Sequence, residues 1–421
     1  MSQRYKILIT ANHCAPDQGS EHGVGWNFLT GISAHHDVLL VCNRHDYIRG
    51  VIDFVQSEEG RKRNIRLFLI EQKVKYTRGI RLFPFLYYVD YRRWQKKVYR
   101  LVSELLKTER IDIIHHITNS TFREPGYLWK LDRPFVWGPV SVLGDGPVRF
   151  LSLYTWKERF KTVARRVTCM YQLRFSRRLK KATGSAAACI CDCRHTAEVM
   201  HRRLGLRRWD VMPETCAILR DIPVPPPREA ASPIRLLWAA GFDSRKGAIL
   251  LVEALRIIQE AGDIPYRLTV AGDGICRKKI IRLCGKYSLA YDYMGRVPHG
   301  EMPSLYAHSH LFFLPSLMDA TTNVVFESLA NYCPVIALNH LSFSEVVDET
   351  CGRKVDLVSP RQIARDIAEY IRYFYHHEEE RYQLSLGARK RAESYSLENR
   401  ACRLNAIYRR VMEERAGAGT A

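Results

Sequence analysis

Nowhere in this 421-residue chain do about 18 apolar residues run uninterrupted, which excludes a membrane-spanning helix of ordinary length. The N-terminal MSQRYKILITANHC likewise offers no apolar stretch of signal-peptide length before the polar PDQGSEHG, so any membrane contact is expected to be peripheral. No long internal repeat or extended low-complexity tract is present. Twelve cysteines are scattered without the spacing of a compact disulfide framework, which fits a reducing, cytoplasmic setting. Cys189, Cys191 and Cys193, followed by His195, alternate as strand residues do, and that spacing does not give the Cys-x-x-Cys geometry of a zinc knuckle. Acids are scarce relative to bases, with 44 Asp and Glu against 65 Lys and Arg. The resulting net charge of +21 predicts attraction to polyanions or anionic lipid. A recognisable nucleic-acid motif and a basic–aromatic stacking platform are both missing, which argues against nucleic acid as the partner.

The chain is long enough for two domains, each with its own core, and 46% of it is hydrophobic. Buried-looking runs alternate with helical stretches: KILIT, DVLLVC, IDIIHHI, PFVWGP and ACICDC in the first half, then RLLWAAG, YRLTVAGDG, HLFFLPS and CPVIAL in the second. Such alternation predicts an α/β chain of two Rossmann-like, doubly wound parallel sheets. Between the halves lies DIPVPPPREAASP, whose three consecutive prolines preclude a helix. The expected division is an N-terminal domain over 1–220, a linker over 221–233, a second domain over 234–395, and a charged C-terminal helix with its tail over 396–421. Ligands of such sheets bind beyond the carboxyl ends of the strands, so a cleft between the domains is the expected site.

Two acids, Asp319 and Glu327, lie eight positions apart in the otherwise uncharged stretch LPSLMDATTNVVFESLANYCPVIAL. Asp319 closes the loop after a predicted strand, and Glu327 falls in the first turns of the helix that follows. Thr321, Thr322 and Asn323 are cap-forming types, so the backbone N–H groups of Thr322, Asn323 and Val324 and the positive helix end suit a phosphate. Upstream, a strand, a Gly-containing turn, Arg245 and Lys246 precede another helix, which puts two cations near a second helix N-terminus.

Taken together, these residues resemble the second domain of the retaining glycosyltransferases of family four. The family's Glu, seven residues, Glu pattern stands here as Asp319 and Glu327; its Lys-Gly as Lys246 and Gly247; its Gly-Asp-Gly as Gly272, Asp273 and Gly274; its Gly-Arg-Val as Gly295, Arg296 and Val297. In the first half, APDQGSEHGVGW resembles the family's Gly-rich loop, IDIIHHITNSTFREPGYLWKL its histidine-bearing strand and loop, and PFVWGPVSVLGDGP a Trp-Gly-Pro segment of polysaccharide-assembly members. Three departures stand out: Asp in place of the first Glu, Ala320, Thr321 and Thr322 in place of glycines, and Ala240 where an Arg commonly precedes the lysine.

The resemblance implies a GT-B fold and a retaining transferase that moves a sugar from a nucleotide-diphosphate donor to a glycan or lipid-linked glycan acceptor in surface polysaccharide or lipopolysaccharide assembly. It implies that Lys246, with Arg245, neutralises the leaving diphosphate, that Glu327 holds the ribose, and that Asp319 touches the donor sugar. Gly19 and Ser20 would let the backbone close over the diphosphate, and one of His115 and His116 would meet the donor sugar, since strand alternation turns the two rings to opposite sides. No Asp-x-Asp is present, and no metal or other cofactor is expected. A GT-B nucleotide-sugar epimerase and a non-catalytic basic sugar-nucleotide or nucleic-acid binder are the alternative readings.

Ten Lys and Arg crowd residues 154–182, beside Tyr154, Trp156, Phe160, Met170, Tyr171, Leu173 and Phe175. Read as a helix, this segment has the composition of an interfacial anchor, and it predicts peripheral association with the anionic inner face of a membrane.

Overall fold

The computed structural model describes residues 3–16, 18–72, 85–142, 148–320 and 322–418. By their contacts these group into two units: Met1–Val142 with Cys169–Thr215 and Leu397–Ala421, and Leu143–Thr168 with Cys216–Ser396. Residues 148–168, expected in the first domain, therefore belong with the second unit. Thr321, expected as a cap residue, and the GDGP of the Trp-Gly-Pro segment lie outside the described residues.

The first unit is built on seven parallel strands: β1 (Lys6–Ala11), β2 (Asp37–Asn43), β3 (Ile65–Ile70), β4 (Ile113–Thr118), β5 (Phe135–Val140), β6 (Ala186–Cys191) and β7 (Trp209–Val211). Their order is β3-β2-β1-β4-β5-β6-β7. Helices cover both faces, so alternate residues of one strand enter different cores. Leu8 packs with Tyr91, Trp94 and Val98, whereas Ile7 and Ile9 pack with Leu404, Ile407 and Tyr408 of the C-terminal helix Leu397–Ala418.

The second unit repeats the plan with β8 (Ile234–Ala239), β9 (Tyr266–Ala271), β10 (Tyr291–Gly295), β11 (Leu311–Leu314), β12 (Val335–Leu338) and β13 (Gly352–Val355). They run parallel in the order β10-β9-β8-β11-β12-β13. Trp238 and Leu236 face one helical layer, Leu237 and Ala239 the other. Full burial of a leucine such as Leu236 or Leu237 contributes about 1.5–3 kcal/mol. Residues 221–228, which include the three prolines, carry no helix or strand.

The basic segment is not one helix. It forms Trp156–Phe175 and Arg177–Ser185, separated at Ser176, whose Oγ accepts the Leu179 N–H at 3.3 Å and so caps the second helix. A serine at that position starts a new helix rather than extending the old one.

Candidate active site

In the second unit the site residues are gathered by two loops at the carboxyl ends of neighbouring strands. β11 is four buried apolar residues, and Pro315 ends it by removing the next N–H from the ladder. The chain then turns so that Leu317 donates its N–H to Arg245 O at 2.7 Å, and Ser316 Oγ lies 3.3 Å from the same oxygen. Opposite, a short 3-10 turn, Ser244–Lys246, follows β8 and ends at Gly247. Gly247 has φ +68, and a Cβ there would lie 1.9 Å from Pro315 O. Only glycine accommodates both the left-handed backbone and that approach.

This stitching brings Arg245, Lys246 and Asp319 together. Lys246 Nζ lies 2.5 Å from Asp319 Oδ2, Arg245 pairs with Oδ1, and the Ser316 hydroxyl donates to Oδ2 at 2.6 Å. Arg245 also meets Asp243 at 3.2 Å. Burial by itself would push the Asp319 carboxyl up, but the Lys246 and Arg245 charges, with the hydrogen bonds from Lys246 and Ser316, outweigh it and hold the group below the ordinary aspartate range. Both oxygens of Asp319 are thus engaged, and the expected contact with a donor sugar would require one of these bonds to break.

Three residues beyond Asp319, Thr322 takes the cap position of the helix Asn323–Ala330 in an extended conformation. It makes no side-chain cap bond, and its Oγ1 is buried without a partner among the described residues. The helix therefore starts with the positive end of its dipole at a cap residue that makes no side-chain bond to it. One turn further, Glu327 Oε2 accepts the Tyr306 hydroxyl at 3.2 Å, and Oε1 lies 3.8 Å from His299 Nε2. Burial raises the Glu327 carboxyl above its ordinary range, against the opposing influence of His299, Tyr306 and Arg220. Its neighbours leave unused acceptor capacity on a carboxylate held one turn from a helix end, the combination that suits a pair of vicinal hydroxyls.

The predicted residues of the first unit fare differently. Gly19 is exposed and takes the cap position of the helix Ser20–Ser33, of which Ser20 is the first residue. His115 and His116 do alternate across β4, but both sides are interior because helices cover both faces. His115 Nε2 donates to Gly138 O at 2.8 Å, which leaves Nδ1 to accept from the Tyr408 hydroxyl at 2.6 Å. His116 Nε2 reaches Glu124 O at 3.3 Å, and its Nδ1 lies 2.7 Å from Thr10 Oγ1. Burial lowers the two rings to about 3 and about 4, so both are neutral. These are satisfied core histidines, and the expectation that one of them faces a ligand is corrected accordingly.

Sequence reading missed several groups. Ser316 and Tyr306 carry no motif that marks them. Glu158 did have a signal, as the sole acid among the ten cations of residues 154–182. Its Oε2 accepts the Ser244 hydroxyl at 2.7 Å, within the same unit. In the first unit, Glu21 Oε1 accepts the Ser120 N–H at 3.3 Å, and burial pushes its carboxyl up to about 7. Among the described residues no group of three His, Cys, Asp or Glu side chains is arranged to hold a metal ion.

Two doubly wound parallel sheets with this strand order define the fold of the GT-B glycosyltransferases. Within it, residues 226–391 match the family model described as Glycosyl transferases group 1. A putative colanic acid biosynthesis glycosyltransferase, WcaL of Escherichia coli (strain K12), is 24% identical over 157 residues. That match covers 35% of this chain and 38% of the relative. Among solved structures, a sucrose-phosphate synthase of Thermosynechococcus elongatus superposes with a TM-score of 0.65 at 15% identity, over 98% of this chain and 100% of the other. WaaG, a glycosyltransferase involved in lipopolysaccharide biosynthesis, superposes with a TM-score of 0.60 at 15% identity, over 96% and 99%.

Proposed function

We propose that the protein is a retaining glycosyltransferase of family four, which transfers a sugar from a nucleotide-diphosphate donor to a glycan or lipid-linked glycan in surface polysaccharide assembly. The observation that carries this is the cluster of Arg245, Lys246 and Asp319 in the same unit as a helix N-terminus whose cap residue, Thr322, makes no side-chain bond, with Glu327 one turn inside. Charge develops on the diphosphate as the sugar departs, and preorganised cations aimed at that charge are commonly the largest catalytic contribution. Lys246 and Arg245 supply the cations, and the helix end supplies N–H donors. Asp319 acts here by fixing the two cations, not by touching the sugar. Glu327 receives the ribose hydroxyls. With both Asp319 oxygens committed to cations, the site favours front-face transfer without a covalent protein intermediate, and the cations take the place of a metal.

The acceptor in this reading is met at the anionic inner face of a membrane, reached through the basic segment 154–182. The likeness to WcaL and WaaG supports an acceptor of the surface-glycan class.

The test is donor turnover. Purified protein is given UDP-, GDP- and ADP-sugars with and without lipid-linked glycan acceptors. Nucleoside diphosphate released only with acceptor, and lost in Lys246→Ala, is the expected result; an isomerised donor, or binding without turnover, would overturn it. The configuration of the product at the anomeric carbon decides retention.

A further inference from the structure

The helix Trp156–Phe175 has two faces with different connections. On one, Trp156, Phe160, Val163, Val167 and Tyr171 recur at helical spacing, and all are exposed, Trp156 and Phe160 to 74% each. Lys157 and Lys161, also exposed, lie along one side of this stripe, and no carboxylate pairs with them among the described residues. An apolar stripe of this length bordered by unpaired cations and containing Trp and Tyr is the arrangement that suits an anionic bilayer, which takes the rings at its headgroup level and the charges at its phosphates.

Glu158 points elsewhere. At about 100° per residue it lies roughly half a turn around the helix from Trp156 and Phe160. Its Oε2 accepts from Ser244 Oγ and Thr155 Oγ1, each at 2.7 Å, and Oε1 receives the Ser244 N–H at 3.4 Å. Ser244 opens the 3-10 turn that ends in Arg245 and Lys246. Just before the helix, Phe150 and Tyr154 are buried in the same core as Phe242, Leu317 and Met318, residues that flank the two loops of the site. The lone acid of the basic segment is therefore spent on the donor loop, and the helix bearing the stripe is tied to that loop by two bonds and a shared core.

We propose that the first turns of this helix couple membrane docking to donor binding: an anionic bilayer seated on the Trp156–Phe160 stripe fixes the helix, and Glu158 through Ser244 then holds Arg245 and Lys246 in the geometry that grips a diphosphate. Glu158 is a positioning residue. The inference rests on the proposed function, because it presumes that Arg245 and Lys246 bind the donor and that the surface is a membrane.

The experiment measures the affinity of the full chain for UDP, GDP and ADP in turn, with and without vesicles of equimolar phosphatidylglycerol and phosphatidylcholine. The wild type is expected to cosediment with the vesicles and to bind its nucleotide at least about fivefold more tightly when bound to them. Trp156→Ser with Phe160→Ser loses vesicle binding and leaves the vesicle-free nucleotide affinity unchanged. Glu158→Ala and, independently, Ser244→Ala keep vesicle binding and lose the enhancement; Ser244→Ala serves where loss of Glu158 frays the helix start. Vesicle binding with no change in nucleotide affinity overturns the coupling alone. No vesicle binding by the wild type, or a stripe buried in a dimer that Phe160→Ser dissociates, overturns the membrane reading and the coupling with it. Failure of all three nucleotides to bind overturns the donor-loop assignment.

Discussion

Lys246 Nζ and Asp319 Oδ2 stand 2.5 Å apart, with both side chains largely withdrawn from water. Neither partner is tolerable alone. Asp319→Ala leaves the Lys246 ammonium without its counter-charge and should cost about 3–5 kcal/mol, seen as a lower urea midpoint at unchanged m value. The paired change Lys246→Met with Asp319→Leu should restore much of that loss while abolishing turnover. A single mutant as stable as wild type would show that the pair is not closed in solution.

The same pair sets an acid limit. A carboxyl held below its ordinary value contributes stability that is present above the unfolded pKa of about 3.9 and lost as pH falls through the folded one. Wild-type protein should therefore lose an increment of stability below about pH 4 that the doubly substituted protein does not. Urea melts at descending pH would reveal it.

Glu21 behaves in the opposite sense. With its carboxyl pushed up to about 7, the folded state binds the proton more tightly than the unfolded state. The stabilisation is complete below the unfolded value of about 4.3 and disappears as pH rises through about 7, up to roughly 4 kcal/mol in all. Glu21→Gln should flatten this part of the stability profile between pH 5 and 8; parallel profiles for the two proteins would count against the assignment.

For the histidines the prediction is structural. Tyr408→Phe leaves His115 Nδ1 buried without its donor and should lower stability by about 1–3 kcal/mol. Nucleotide affinity of the folded protein should stay within about twofold, since no ligand contact is removed. A variant with an unchanged melting temperature and a collapsed kcat would restore a catalytic role for His115.

Glu327→Gln should act the other way, lowering nucleotide affinity by about tenfold or more while the melting temperature holds or rises, because a carboxyl raised by burial gives way to a neutral amide. Tyr306→Phe separates the hydroxyl's share. Thermal stabilisation by UDP, GDP or ADP provides the readout.

The nine strands legible in the sequence are the interior ones, and the four that escaped, β3, β7, β10 and β13, are the edges of the two sheets. An interior strand buried on both faces reads as an unbroken apolar run. Edge strands such as TrpAspVal of β7 and GlyArgLysVal of β13 are short and interrupted by charge, so no run announces them. At the site, the cations, the two acids and the helix end were visible because each sits next to a turn signal. What could not be read was the partner of each: that Asp319 faces Lys246, that Glu158 crosses to Ser244, and that both histidines of β4 point inward. Those facts depend on which helices cover which face, and no local pattern encodes that.

Gly247 leaves a mark on how this protein can change. Any side chain there collides with Pro315 O, so the close approach of the loop of the cations to the loop of Asp319 depends on this glycine. A library aimed at new donor preference would find position 247 closed, and variants there would be lost to misfolding before any donor was sampled.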